Sequence, residues 1–185
     1  GGNPQTGPFY INDARLGDTL AVTFDYLMPN RAWGHTAGRI APNVREPGYV
    51  PEFEDDLQTL IWQIDFDNQT ASPKDAAGLL ANLKLPLNPH SGCFGVAPPG
   101  GQAISTATSS THGGNMDFNG FTKGVTVYFP VTVEGALFHV GDGHALQGDG
   151  EIVGTGIEIS FDVTFTVRLL KGKQIRWPRA ESDRH

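Results

Sequence analysis

From Ile157 to Leu169 the chain alternates apolar and mostly polar residues without a break: Ile157, Ile159, Phe161, Val163, Phe165, Val167 and Leu169 share one parity. A helix turns about 100° per residue and would scatter these side chains around its axis. A strand puts every second one on the same face. This stretch therefore predicts a long strand with one face on a core. Three more runs carry the same pattern: Thr19 to Tyr26 (Leu20, Val22, Phe24, Tyr26), Thr59 to Phe66 (Leu60, Trp62, Ile64, Phe66) and Val125 to Val133. In the last, Pro130 lacks a ladder donor and marks an edge or bulge. Ala136 to Val140 reads as a short return strand after a turn at Glu134-Gly135.

Helix is scarce. Ser72-Pro73-Lys74-Asp75 offers an N-cap followed by Pro at the first helical position, which predicts about two turns over Ala76 to Leu83. The stretches Pro29 to Asp56 and Gly95 to Asn119 read as long Gly/Pro/Ser/Thr-rich loops, a kind that commonly carries function. With 24 Gly and 13 Pro dispersed over 185 residues, short strands and tight turns outnumber other solutions. The expected fold is all-β, a sandwich or jelly roll with one short helix, built as a single domain over residues 1–185.

Charge narrows the partners. A net charge of -7, with 13 scattered Lys and Arg, does not make the clustered basic surface that nucleic acid requires. The basic tail from Arg168 to Arg184 reads as solvated. No apolar run reaches the length of a membrane span. Cys93 is the single cysteine, which excludes an internal disulfide and a thiolate-built zinc centre. Its apolar neighbours suggest a buried thiol rather than a nucleophile. No Gly-x-Ser-x-Gly elbow is present, so a serine nucleophile has no support.

The densest polar constellation is Val140 to Glu151, V-G-D-G-H-A-L-Q-G-D-G-E, with Asp142, His144, Gln147, Asp149 and Glu151 among four glycines. One imidazole with two or three carboxylates suits zinc or a similar divalent ion. The residues alone equally describe a surface hairpin with Asp-Gly turns. His112-Gly113-Gly114-Asn115-Met116-Asp117 is a second candidate, aiming Asn115 and Asp117 at one place. His35, His90 and His139 read as packed or solvated histidines.

The strings G-V-A-P-P (Gly95 to Pro99), H-G-G-N-M-D (His112 to Asp117) and P-V-T-V-E-G-A-L-F-H-V-G-D-G-H-A-L-Q-G-D-G-E (Pro130 to Glu151) together resemble the acetamidase/formamidase family. T-G-P-F-Y (Thr6 to Tyr10) and L-G-D-T-L (Leu16 to Leu20) match its entry, in the family's order. The resemblance implies a CUB-like β-sandwich, a divalent metal, most simply zinc with calcium as the alternative, and hydrolysis of a small amide or lactam to carboxylate and ammonia. It implies Asp117, Asp142 and His144 as the metal set, Glu151 as base then acid, and Asn115 and Asp149 as catalytic neighbours. It further implies a homo-oligomeric, cytoplasmic enzyme, of which this chain, lacking an initiator Met, is a central portion. His139 stands where the family's pattern has a small hydroxyl residue. Trp33, Phe94 or Phe138 would line a pocket for a larger amide. Two other readings compete: a calcium-holding sandwich that binds carbohydrate or protein, and an inactive structural relative.

Overall fold

The computed structural model describes residues 2–37, 46–48 and 59–182. Thirteen strands run in chain order: β1 (Gln5–Phe9), β2 (Thr19–Pro29), β3 (Trp33–Thr36), β4 (Leu60–Asp65), β5 (Thr70–Pro73), β6 (Leu85–Pro86), β7 (His90–Gly95), β8 (Ser109–Ser110), β9 (Gly113–Asn115), β10 (Thr126–Pro130), β11 (Phe138–His144), β12 (Phe161–Leu170) and β13 (Arg179–Glu181). All pairs are antiparallel.

They form three sheets, ordered β1-β11-β7-β9-β8, β12-β2-β10-β13 and β3-β4-β5-β6. The first two face each other across one apolar core. Phe94, Phe138 and Val140 come from the first, and Leu20, Val22, Phe24, Val127 and Phe129 from the second. Edge-on aromatic pairs cross the gap, with Phe24 and Phe94 centroids 5.0 Å apart and Phe138 and Phe165 4.9 Å apart. Such pairs add specificity to the area they bury. The all-β sandwich expected from the alternating runs is the observed architecture.

The third sheet packs Trp62 and Ile64 on Ile157, Ile159 and Ala145 in a smaller core. Segment 157–159 joins it to the main sandwich, because Glu158 bridges to both His35 and His144. The long alternating run is therefore divided. Its first residues serve the second core, and only from Phe161 does it pair with β2.

Three expectations are corrected. Ser72 and Pro73 belong to β5, paired with Gln63 and Trp62, so they cannot cap a helix. Across Ala76 to Leu83 the chain makes only a single 3-10 turn, at Gly78–Leu80. Two turns are marginal without a buried face, and Leu79 and Leu80 are both exposed. Tyr26 lies outside the core, because a register shift opposite Thr164 and Phe165 leaves Asp25 as an extra residue and brings Leu27 inward instead. A single bulged residue inverts every side chain beyond it. The predicted loop of Gly95 to Asn119 contains the β8–β9 hairpin, while residues 38–45 and 49–58 of the other predicted loop lie outside the described residues.

Candidate metal centre

Pleating explains how polar residues come to the end of an apolar core. Phe138 and Val140 of β11 face inward, so period-two alternation puts Asp142 and His144 on that same face. On β7, Phe94 faces inward, as do Gly92 and His90 two and four residues earlier. Pairing of Gly141 with Cys93 and of Gly143 with Ser91 sets Asp142 opposite Gly92. The first Gly-Asp-Gly is thus inside a strand and not a hairpin turn, which removes the surface-hairpin reading for it. Its glycines permit close approach: a Cβ on Gly141 would meet the Pro4 carbonyl at 2.1 Å, and one on Gly143 the Ile159 carbonyl at 2.8 Å.

Asp117 arrives from the end of the β9 segment, where the Gly92 carbonyl accepts from the backbone N–H groups of Met116 and Asp117. Glu151 comes from a 3-10 turn (Asp149–Glu151) and Glu158 from the bridging segment. Asp117, Asp142 and Glu151 all have positive φ, at 42°, 60° and 45°, three of eight such non-glycine residues among those described. This conformation is costly for a residue with a Cβ, and it concentrates where surrounding structure enforces a site.

The side chains converge on His144 Nε2. Asp142 Oδ1 is 3.6 Å away, Glu151 Oε1 3.5 Å and Glu158 Oε1 3.1 Å. Among the described residues this fully buried nitrogen has no hydrogen-bond partner. Asp117 Oδ1 is likewise buried and unpartnered. Donor atoms of Asp117, Asp142 and His144 lie within 4.8 Å of one another, as do those of His144, Glu151 and Glu158. Orphaned buried polar atoms cost about 1–3 kcal/mol each, so two aimed at one spot mark a place that a cation completes. Gly92 forms its floor. A Cβ there would lie 2.5 Å from Asp117 Oδ1, 2.7 Å from Asp142 Oδ2 and 2.8 Å from His144 Cε1. The residues present therefore fit a divalent metal.

A second layer orients the imidazole. His144 Nδ1 donates to Gln147 Oε1 at 2.7 Å, and Gln147 Nε2 donates to the Asp117 carbonyl at 2.6 Å. The amide orientation follows from that second bond, and with it the protonation of His144 at Nδ1. Nε2 then presents a lone pair when the ring is neutral. His90 stands behind, its Nδ1 donating to the Asn88 carbonyl at 2.7 Å and its Nε2 3.3 Å from His144 Nδ1. Burial depresses its pKa and keeps it neutral.

Electrostatics without a cation are unfavourable to four clustered carboxylates. Burial, with the Glu151 and Asp142 charges, pushes Asp117 up to about 8. Burial also raises Glu151. For His144, burial opposes the charged ring, but Asp142 and Glu158 outweigh it and hold the pKa up to about 11. Protons or a metal must neutralise this cluster.

Of the residues expected from sequence, Asp117, Asp142, His144 and Glu151 come together. Asn115 adjoins them, donating from Nδ2 to Asp117 Oδ2. Asp149 does not join the cluster: it is exposed and accepts from Asn119 Nδ2 at 2.8 Å. The two flank Gly150 in a tight turn, whose φ of 74° sends their side chains in different directions. Cys93 is buried as expected, and burial with the Asp142 and Asp117 charges pushes its thiol up to about 12, too high for a nucleophile.

Beside the cluster opens a cleft of about 910 Å³, with Asn3, Asn115, Asp142, Glu151 and Glu158 on its polar side. Phe9, Leu27, Phe161, Val163 and Phe165 make its apolar side. The aromatic residues expected to line it are elsewhere: Phe94 and Phe138 are in the core, and Trp33 is exposed beneath the Arg31 guanidinium, 4.0 Å from its centroid. Sequence reasoning missed Asn3, His90 and Glu158 as parts of the site, and placed Gln147 in the constellation without giving it a role. Glu158 was hidden among the polar partners of an amphipathic strand. Asn3 precedes every recognised pattern, the first of which, T-G-P-F-Y, starts three residues later.

Among the described residues no helix is long and apolar enough to cross a membrane. Residues 99–181 match the model of the Acetamidase/Formamidase family. The chain is 27% identical over 224 residues to the acetamidase of Mycolicibacterium smegmatis, covering 90% of this chain and 53% of that one. It is 45% identical over 71 residues to the formamidase of Methylophilus methylotrophus, covering 38% of this chain and 17% of that one. The crystal structure of an acetamidase from Yersinia enterocolitica superposes with a TM-score of 0.82 at 31% identity, over 98% of this chain and 54% of that one. The chain thus spans about half the length of these full-coverage relatives. Sequence strings, sandwich and neighbours agree: over residues 99–181 in sequence and over nearly its whole length in fold, the chain is similar to the acetamidase/formamidase family.

Proposed function

We propose that this chain carries the metal centre of an amidohydrolase that converts short-chain amides, of the formamide and acetamide class, to carboxylate and ammonia. The observation that carries this reading is the buried, unpartnered His144 Nε2 facing Asp142, Glu151 and Glu158 beside the equally unpartnered Asp117 Oδ1. Names of the relatives supply the reaction class. Asp117, Asp142 and His144 would hold the metal, and one nitrogen among oxygens favours zinc over calcium. Once bound, the cation supplies Lewis acidity, polarising the amide carbonyl and lowering the pKa of water.

The chain's own groups do the remainder. Glu151 Oε1, with its raised pKa, takes a proton from the attacking water and returns it to the leaving nitrogen. Water oxygen ends in the carboxyl group, and the C–N bonding pair leaves with the nitrogen as ammonia. Glu158 sits on the other side of His144 Nε2 and shares the charge. Gln147 and His90 keep the imidazole in the tautomer whose Nε2 faces the cleft. Asn115 orders Asp117 through its amide. Small amides offer little binding energy, so recognition falls to the polar side of the cleft. The same reading carries assembly as a homo-oligomer in the cytoplasm, checked by scattering from purified protein and by fractionation.

The test is ammonia release from formamide and acetamide by the intact gene product, before and after chelation and on adding zinc or calcium. Zinc-dependent turnover supports the proposal. Calcium binding without turnover would mean a binding module instead.

A further inference from the structure

The two carboxylates proposed as ligands are tied to each other by a bridge of side-chain amides from elsewhere in the chain. Asn3 Nδ2 donates to Asp142 Oδ2 at 2.7 Å and also to Asn115 Oδ1. Asn115 Nδ2 in turn donates to Asp117 Oδ2. A primary amide has two N–H donors and a carbonyl acceptor, so all three bonds form together. The bridge runs Asp142, Asn3, Asn115, Asp117, joining residues 139 and 112 apart in the chain. At each end an outer carboxylate oxygen receives an amide hydrogen. The other oxygen of each, Asp142 Oδ1 and Asp117 Oδ1, is left to the cluster around His144 Nε2.

Chemistry singles out an amide for this place. A lysine would compete with the cation by adding a positive charge, and a carboxylate would add a further repulsion to the outer oxygens. A neutral double donor orients both acids without changing the charge. We propose that Asn3 is a positioning residue of the metal centre, holding Asp142 directly and Asp117 through Asn115. This rests on the metal reading of the site.

Asn3 also ends in a primary amide, the group a substrate would carry, so a competing assignment has its side chain standing in the substrate's place. Zinc affinity of the intact protein, measured by competition with a chromophoric chelator, separates the two. Asn3→Ala is expected to bind zinc about 10–100-fold more weakly, the usual effect of losing a residue that orients a ligand. Its metal-free melting temperature should stay unchanged, and Asn3→Gln should recover part of the affinity. Asn3→Ala combined with Asn115→Ala should lose little beyond Asn115→Ala alone, because both break one chain of bonds. At saturating zinc, turnover by Asn3→Ala should return towards that of the parent. Unchanged zinc affinity with a lower KM for acetamide would overturn the proposal in favour of substrate mimicry. A parent protein that takes up no divalent metal would defeat the metal reading and this proposal together. A parent that binds zinc no better than Asn3→Ala would defeat this proposal alone.

Discussion

Asp142 stands directly across the β7–β11 ladder from Gly92, and the missing side chain of Gly92 is the space in which Asp142, Asp117 and His144 meet. Gly92 does not have a positive φ, so alanine fits its backbone. Only the room is at stake. Gly92→Ala should fold, yet bind zinc more weakly by about 1–3 kcal/mol, the usual cost of forcing a methyl into a filled space. Competition titration measures this. Equal affinity would mean that the cation lies away from this floor.

Gln147 is expected to act through His144. Its Oε1 accepts from His144 Nδ1 at 2.7 Å, fixing which nitrogen faces the cleft. Gln147→Leu keeps the bulk and removes the acceptor. Zinc affinity should fall about 10–100-fold. An unchanged affinity would contradict this role.

Asp149 and Asp142 lie seven residues apart in one glycine-rich string and should behave oppositely. Asp149 is exposed and accepts a hydrogen bond from Asn119. Asp149→Asn should leave turnover within about twofold, as surface substitutions usually leave a protein nearly unchanged. Asp142→Asn should lower it by about two orders of magnitude or more through a lost ligand. Steady-state ammonia release compares them, and similar losses in both would refute the placement.

Asp18 is expected to contribute to the acid limit of the fold. Its carboxylate accepts from Lys171 Nζ at 2.6 Å and from the Gly172 and Arg15 backbone N–H groups, each at 2.9 Å. Lys171 leads in holding its pKa down to about 2. A depressed folded-state pKa gives stability that is present above the unfolded value near 4 and is lost as pH falls through about 2. Melting temperature should therefore drop between pH 4 and pH 2. Asp18→Asn should flatten that drop while lowering the melting temperature near neutrality. An unchanged acid limb would exclude Asp18 as its source.

Much of this architecture was legible because alternation is a local signal. The runs around Val22, Ile64, Val127 and Val163 each announced a strand with one apolar face. What escaped was what depends on pairing. Tyr26 turned outward through a bulge that only the β12 register reveals, and Gly141-Asp142-Gly143 became strand because β7 pairs with it. The site divides in the same way. Asp117, Asp142, His144 and Glu151 sit in compact strings, so composition exposed them. Asn3, His90 and Glu158 reach the site across more than fifty, and for Asn3 over a hundred, residues of chain or from a strand whose polar face looked solvated. Nothing in local spacing records such meetings.

The central claim is that His144 and its carboxylates hold a metal that drives amide hydrolysis. Its most direct test is ammonia release from acetamide by the chelated intact protein, titrated back with zinc alongside a His144→Ala variant. Turnover should be restored in proportion to bound zinc in the parent, and the variant should show none. Full activity in the chelated protein, or equal activity in His144→Ala, would contradict the claim.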